Sequence, residues 1–260
     1  MCIVIDIETA PLPDDQIVDL LPEFDESKIK NPGTFDPSAV KLGAIKDEAK
    51  KQAKIDECRQ KHQAAVEKYE TDLANAQAEH RANCIDRAAL SSTTGRIVAI
   101  GIYDPARNRT AILHNDNDEA EMLRQWWTIY DQGRTLAKET FVGFNIEGFD
   151  IPFLIQRSRI LDVDVPPGIY DRSRRYLSDH FIDLMKVWTC GQYGQSIKLD
   201  LLAKTLGVGG KQVDAEGKKI TGKDFSRLWF GSVEDRQKAV EYLTNDLMMT
   251  AGVARKLGVN

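Results

Sequence analysis

The chain has 260 residues, of which 42% are hydrophobic and 29% charged, so it is long enough for one sizeable α/β core and has the composition of an ordinary soluble protein. No apolar run approaches the roughly 20 residues that a membrane-spanning helix needs, and Met1 leads directly into a strand pattern, so we expect a cytoplasmic protein with no membrane partner. The formal net charge of −5 argues against a protein that holds nucleic acid by bulk electrostatics, but it leaves open sites where metal ions supply positive charge locally.

The stretch from Cys2 to Pro11 predicts a buried strand, because it opens on an apolar, β-branched run and a proline ends it. Asp6 and Glu8 are two apart and therefore share one face of that strand. Close anions repel, and removing either from water costs several kcal/mol unless a positive charge lies between them. Mg²⁺ or Mn²⁺, which prefer oxygen ligands, would supply that charge. The competing interpretation is that Asp6 ends the strand and Glu8 is solvated.

Residues 12–40 are rich in proline and predict an irregular loop. From Asp47 to Leu90 there is no glycine or proline, and alanine, lysine, glutamate and glutamine dominate, which predicts helix. One continuous helix of this length would reach roughly 60 Å, which is longer than a small domain is wide. We therefore expect a helical hairpin, inserted at residues 41–90 of a single domain that spans residues 1–260.

A zinc site is a further hypothesis for this insertion. Cys58 and His62 are four apart, and so are His80 and Cys84, so each pair shares one helix face. A hairpin turning near Thr71 would bring the two pairs together as a Cys₂His₂ set suited to tetrahedral zinc. The competing interpretation is an ordinary helix seam of small and polar residues.

After Gly95 the pattern alternates between strands and amphipathic helices. Strands are predicted at residues 96–103, 110–114, 140–144 and 181–185. Helices are predicted at residues 119–131, after Asp150, and at residues 199–206 and 233–257. This order places most strands in one mixed sheet flanked by helices, which is an α/β fold.

Three acidic motifs occur in order along these elements: Asp6 with Glu8, then Asn145 with Phe149 and Asp150, then Tyr242 with Asp246. Together they resemble the exonuclease motifs of the DEDD 3′–5′ exonuclease superfamily. Tyr242, four residues before Asp246, places the resemblance in the DEDDy branch. Two further segments look most similar to the proofreading exonuclease domain of B-family DNA polymerases and its stand-alone bacterial and phage relatives. They are Thr94-Gly95-Arg96-Ile97-Val98-Ala99-Ile100-Gly101 and Phe141-Val142-Gly143-Phe144-Asn145.

The resemblance covers nearly the whole chain except residues 12–90. It implies a ribonuclease-H-like fold with a mixed five-stranded sheet, two bound divalent metal ions (Mg²⁺ or Mn²⁺), and stepwise removal of nucleotides from a free 3′ end, with single-stranded DNA favoured as partner. By analogy Asp6 would bridge the metals, Glu8 and Asp246 would be further ligands, and Asp150 would lie on or beside the other metal. Tyr242 would orient the attacking water.

Substrate contacts are implied for Asn145 and Phe149, with Thr9 beside them, and Asp183 matches an acidic position common in the same group. Asn145 is equally compatible with a simple turn residue, and Phe149 with a core residue. Two basic segments, Arg172 with Arg174 and Arg175, and residues 211–223, are candidates for the strand path. Two alternatives stay open: an RNA 3′ exonuclease, and a catalytically silent nucleic-acid-binding or adaptor protein on the same fold.

Overall fold

The computed structural model describes residues 2–137, 139–169, 180–192, 194–210 and 220–259. The backbone contacts divide the chain into two compact units. One, the sheet unit, consists of residues 1–17 and 88–260, and the other, the insert unit, is Val18–Arg87. The basic residues Arg172, Arg174 and Arg175, and residues 211–219, lie outside the described ranges.

The sheet unit contains a five-stranded mixed sheet in the order β3-β2-β1-β4-β5. The strands are β1 Cys2–Pro11, β2 Gly95–Asp104, β3 Arg109–Leu113, β4 Thr140–Gly143 and β5 Phe181–Asp183. β2 pairs antiparallel with β1 and with β3, whereas β4 pairs parallel with β1 and with β5. The predicted mixed five-stranded sheet flanked by helices is therefore confirmed, with β1 at its centre.

Helices cover both faces of this sheet. The helices of the sheet unit are α1 Asp14–Ile17, α3 Glu119–Gln132, α4 Asp150–Ile160, α5 Leu184–Trp188, α6 Leu199–Thr205, α7 Gly222–Trp229 and α8 Val233–Lys256. Helix α2 Glu48–Ala88 belongs to the insert unit up to Arg87 and is described separately. Helices α5 and α7 were not predicted from the sequence. Leu184 and Met185, predicted as strand, begin α5, because Asp183 caps that helix by accepting the N–H of Met185. The pattern also missed α7, which opens with a capping box formed by Thr221 and Asp224.

The central strand is buried on both faces, which decides where its carboxylates point. Ile3, Ile5 and Ile7 belong to one core cluster, which also holds side chains of α3 and α4. Val4 and Ala10 belong to a second cluster with side chains of α7 and α8. Since alternate residues of a strand share a face, Asp6 and Glu8 lie on the same face as Val4 and Ala10, toward α8.

The predicted helical hairpin is wrong. α2 is a single helix of 41 residues, and it continues without a break through Thr71, whose hydroxyl donates to the carbonyl of Glu67 one turn earlier. Ion pairs three and four residues apart, such as Lys61 with Glu57 and Lys68 with Asp72, stabilise this exposed helix locally.

The partner of α2 inside the insert unit is the proline-rich segment that precedes it. The carbonyl of Pro22 lies 2.9 Å from His80 Nε2, and the ring of Phe24 lies 5.6 Å from that of His80. About five turns earlier in the helix, Phe35 packs against His62 at 5.6 Å between ring centroids. The segment therefore runs antiparallel to α2 and takes the place of the expected second helix.

The four-ligand zinc site is wrong for the same reason. In a continuous helix His62 and His80 are 18 residues apart and therefore about 27 Å apart along the axis, whereas zinc ligands bind within about 2.3 Å of the ion. Cys58 and Cys84 are free thiols in separate parts of α2. None of the helices that the structure describes is long and apolar enough to span a membrane.

A buried ion pair stabilises the turn that leads from the insert into β2. Arg157 on α4 donates to both carboxylate oxygens of Glu119, at 3.0 and 2.6 Å, and to the carbonyl of Ser92 at 3.0 Å. Glu119 Oε1 also accepts the backbone N–H of Ile97 at 2.8 Å. The side chains are only 4% and 11% exposed. One pair thus joins α3, α4, the turn before β2 and β2 itself.

We expect Arg157→Met to lower the free energy of unfolding by about 3–5 kcal/mol, because it leaves the buried Glu119 carboxylate without its counter-ion. The measurement is urea unfolding of the whole chain. Arg124→Met is the matched control, since Arg124 pairs with Glu121 on the same helix as Glu119 but both side chains are about half exposed, and we expect it to cost less than about 1 kcal/mol. Equal losses in the two variants would contradict the assigned role of Arg157.

Candidate active site

Helix α8 approaches the sheet closely where β1 carries its first carboxylate. Asp6 pairs with Gly101 on β2. A Cβ atom added at Gly101 would lie 2.8 Å from Leu247 Cδ1 and 3.0 Å from Leu243 Cδ1, so a larger residue here would push against α8. Glycine inside a strand therefore lets the helix that carries Tyr242 and Asp246 lie against the middle of β1.

Three carboxylates converge at this point. One ligand atom from each of Asp6, Glu8 and Asp246 lies within 4.8 Å of the others. Glu8 and Asp246 are buried, with 8% and 5% of their surface exposed, and Asp6 is half-buried. The resemblance implied a shared role for these three carboxylates, and the structure brings them together, because the two-residue spacing on the strand and the glycine opposite Asp6 direct all three groups to one place.

The donor set fits hard divalent cations. Mg²⁺ binds oxygens at 2.0–2.1 Å, and Ca²⁺ at 2.3–2.6 Å, so oxygens that share such an ion lie at most about 4–5 Å apart. Clustered carboxylates without a cation repel one another, which raises the free energy of the folded state. Asp6, Glu8 and Asp246 could therefore hold a divalent metal ion between β1 and α8.

Asp150 joins this cluster from the other side of β1. It is the first residue of α4 and is 3% exposed. β4 pairs with β1 only from Cys2 to Val4, and beyond that point Asp150 Oδ1 accepts the N–H of Ile7 at 3.0 Å. Burial raises the pKa of Asp150 to about 7, against the lowering effect of the Ile7 N–H and with a further increase from the charge of Asp183. An interaction with the side chain of Asp6 has a small lowering effect on the pKa of Asp150.

Tyr242 lies one helical turn before Asp246, and its ring is buried on the same face of α8. Its ring is 4% exposed and lies 6.0 Å from the ring of Phe225 on α7. Burial raises the pKa of the Tyr242 hydroxyl far above its usual value, and the charges of Glu8, Asp246 and Asp6 add to this effect. The hydroxyl is therefore neutral and donates a hydrogen bond to Asp246.

Asp183 organises the turn that leads to Asp150. It is 2% exposed, and its carboxylate accepts the backbone N–H groups of Asn145, Glu147 and Met185, at 2.9, 3.2 and 2.9 Å. Asn145 has a φ of 63°, a left-handed conformation that asparagine tolerates better than most residues. Asp183 thus stabilises a strained turn through backbone hydrogen bonds, which is a positioning role that the sequence did not indicate.

The other predicted substrate residues lie around this turn and at the end of β1. The hydroxyl of Thr9 donates to the carbonyl of Ala89 at 2.7 Å. Phe149 is half-buried at the edge of the core, with its ring 5.4 Å from that of Phe153. The side-chain oxygen of Asn145 lies over Gly148, where an added Cβ would come within 2.4 Å of it. A substrate contact stays a prediction for each of the three.

The sequence pattern did not identify Gly101 or the buried Arg157–Glu119 pair as structurally important. Gly101 carried a usable signal, because a single glycine inside an apolar strand indicates a bulge or a close approach of another element. The Arg157–Glu119 pair carried none, since the two residues are 38 apart and only the fold brings them together.

The raised pKa of Asp150 gives a stability prediction for the metal-free protein. An acid whose folded pKa lies above its unfolded value binds a proton more tightly when folded, so its contribution is complete below pH 4 and is lost as the pH rises toward about 7. Asp150→Asn removes this titration and keeps an acceptor for the Ile7 N–H. We expect the variant to gain stability relative to the parent between about pH 5 and pH 8, measured by urea unfolding with a chelator. Parallel pH curves for the two proteins would contradict a protonated Asp150.

Comparison with known proteins agrees with this geometry. Residues 89–250 match a family described as predicted 3′–5′ exonucleases related to the exonuclease domain of PolB. Among solved structures, the family B DNA polymerase from the hyperthermophilic archaeon Pyrobaculum calidifontis is similar with a TM-score of 0.51 and 20% sequence identity, over 66% of this chain and 23% of the polymerase chain. A search of curated proteins gave no match. This chain belongs to the family of predicted 3′–5′ exonucleases related to the exonuclease domain of PolB.

Proposed function

We propose that the protein is a metal-dependent 3′–5′ exonuclease that removes nucleotides from the 3′ end of single-stranded nucleic acid, with DNA as the favoured substrate. The observation that carries this proposal is the convergence of Asp6, Glu8 and Asp246 within 4.8 Å, next to a buried Asp150. The family membership supports the reaction class, and the four carboxylates support the dependence on metal.

Asp6, Glu8 and Asp246 would hold the ions, and Asp150 would complete the set from the opposite side of Asp6. Divalent ions bound there would activate water and neutralise the charge on the attacking and leaving oxygens of the phosphodiester. The protein's own side chains and backbone hold these carboxylates in position. Buried backbone hydrogen bonds fix Asp150, and packing against Phe225 fixes the ring of Tyr242, so the carboxylates are preorganised before substrate binds.

Tyr242 is suited to orienting water and not to removing its proton. A hydroxyl with a strongly raised pKa is a poor base but remains a hydrogen-bond donor and acceptor. It lies one turn from Asp246, where it can direct a water molecule held at the same carboxylates. The proton must therefore pass to solvent or to a group other than the Tyr242 phenol.

The direct test is hydrolysis of end-labelled strands. We expect stepwise shortening of 5′-labelled single-stranded DNA in Mg²⁺ or Mn²⁺, immediate release of the label from 3′-labelled DNA, and loss of both with a chelator. Duplex DNA and RNA in parallel reactions define the preferred substrate. Asp6→Asn, checked for folding by thermal unfolding, should be inactive. Activity of Asp6→Asn within tenfold of the parent would rule out the metal assignment.

The order of severity of two substitutions on α8 tests the mechanism. Tyr242→Phe keeps the ring and removes one positioning hydroxyl, so we expect kcat to fall on the order of 10²–10³-fold. Asp246→Asn removes a ligand and a charge and should cost more. Tyr103→Phe is the control, since its hydroxyl bonds Asn108 at the other end of the sheet. If Tyr242→Phe is as active as Tyr103→Phe, the water is held by another group.

A further inference from the structure

Arg96 lies beside the carboxylate cluster but takes no part in it. It pairs with Ala10, which is two residues beyond Glu8 on β1. With about 3.4 Å per residue along a strand and about 4.8 Å between strands, the backbone of Arg96 lies within about 10 Å of that of Glu8. Alternation along β2 places Arg96 and Val98 on one face, and Val98 packs in the core cluster of Tyr242.

The guanidinium of Arg96 is stacked on an aromatic ring and has no ion-pair partner in the part of the chain that the structure describes. Its Cζ lies 4.8 Å from the ring centroid of Phe230, whose side chain is 48% exposed at the end of α7. Its Nε is shielded from water and has no hydrogen-bond partner among the residues that the structure describes. Within the same ranges no carboxylate lies within ion-pair distance of Arg96. A charged group held by an aromatic ring alone leaves its strong donors available.

The acidic neighbours of Arg96 are already compensated. Asp116 accepts two hydrogen bonds from Arg236, at 2.6 and 3.0 Å, and one from the Trp229 indole at 3.1 Å. Glu119 is bound by Arg157. Arg96 therefore contributes the positive charge that remains among these described groups.

A small polar cavity opens beside this charge. It has a volume of about 170 Å³, and its lining includes Arg96 and Phe230 together with Asp116, Glu119 and Arg157, whose charges are paired as described above. Since one water molecule occupies about 30 Å³ of liquid, the cavity has room for a tetrahedral anion, but not for a long stretch of nucleic acid. An aromatic ring at its mouth, half exposed, offers a face on which a sugar or base can pack.

We propose that Arg96 and Phe230 form a phosphate-binding site for the nucleic-acid strand, with Arg96 bound to a backbone phosphate other than the one that is hydrolysed. The inference rests on the proposed function, because it identifies the strand as the ligand. Its role is to hold the strand in register with the carboxylates, so Arg96 is a substrate-binding residue outside the reacting atoms. Because the net charge is −5, binding of a polyanion depends on local positive charge, which Arg96 supplies beside any cation held at the carboxylates.

The test compares binding and hydrolysis in four variants: Arg96→Met, Arg96→Lys, Phe230→Leu and the control Arg124→Met, which removes an exposed arginine from α3. Binding of a fluorescent oligothymidylate is measured by anisotropy at several salt concentrations, with Ca²⁺ replacing Mg²⁺. Hydrolysis is measured on the same oligonucleotide and on the p-nitrophenyl ester of thymidine 5′-monophosphate, which has no neighbouring phosphate. Thermal unfolding checks that each variant is folded.

We expect Arg96→Met to weaken oligonucleotide binding about tenfold and to reduce the slope of log K against log salt by about 0.7, which corresponds to one phosphate on a single strand. KM for the oligonucleotide should rise by a similar factor with kcat unchanged, and hydrolysis of the ester should be unaffected. Arg96→Lys keeps the charge and should keep the salt slope. Phe230→Leu should weaken binding without changing that slope.

An unchanged salt slope in Arg96→Met, or an equal change in Arg124→Met, would overturn the proposal. So would equal loss of activity on the ester, because Arg96 would then act on the reacting nucleotide. Failure of the Arg96 proposal can be distinguished from failure of the proposed function. If the parent protein hydrolyses neither substrate, the exonuclease assignment fails, and the anisotropy measurements still decide whether Arg96 binds a strand.

Discussion

Repulsion between buried carboxylates is the constraint on which the arrangement of the sheet unit depends. Glu8, Asp246 and Asp150 are almost fully removed from water, and Asp6 lies between them. Each desolvated carboxylate would cost several kcal/mol without compensation. The Ile7 N–H compensates part of the cost at Asp150, whose pKa is raised by burial, while the other three groups converge as a cation site would require. A divalent metal ion bound there would restore the stability lost at this point.

Packing on both faces of β1 and backbone hydrogen bonds hold the carboxylates in place despite their repulsion. β1 is the central strand, with apolar clusters on both faces, and α8 packs on it through Leu243 and Leu247. On the opposite side, the buried carboxylate of Asp183 holds the turn at Asn145 by two backbone hydrogen bonds and caps α5 by a third. A negative charge that is satisfied by backbone donors orders the turn without cancelling the field at Asp150, whose pKa it raises. Asp183 thus links the shape of the turn to the electrostatics of the site.

The sequence predicted the parts of this site that depend on local periodicity. The two-residue spacing of Asp6 and Glu8 and the four-residue spacing of Tyr242 and Asp246 are sufficient to place each pair on one face of its element. Long-range contacts were not accessible in this way. The insertion shows the limit most clearly, because a glycine-free and proline-free run predicts helix but contains no information about its partner. We expected a second helix, and the partner is an irregular segment with Pro22, Phe24 and Phe35.

The insertion separates the first two carboxylates from the part of the chain that matches the family. The match begins at residue 89, after the insert unit, yet Asp6 and Glu8 precede it. β1 and β2 are antiparallel neighbours with a register that runs from Val4 to Pro11. Backbone pairing then continues from Leu12 to Thr94 at 2.9 Å. Closing a longer connection between two strands costs only about 0.6 kcal/mol for each doubling of its length. The pairing of β1 with β2, supported by the contact of Thr9 with Ala89, therefore holds Asp6 and Glu8 at the site. It does so although residues 18–87 are inserted between the two strands.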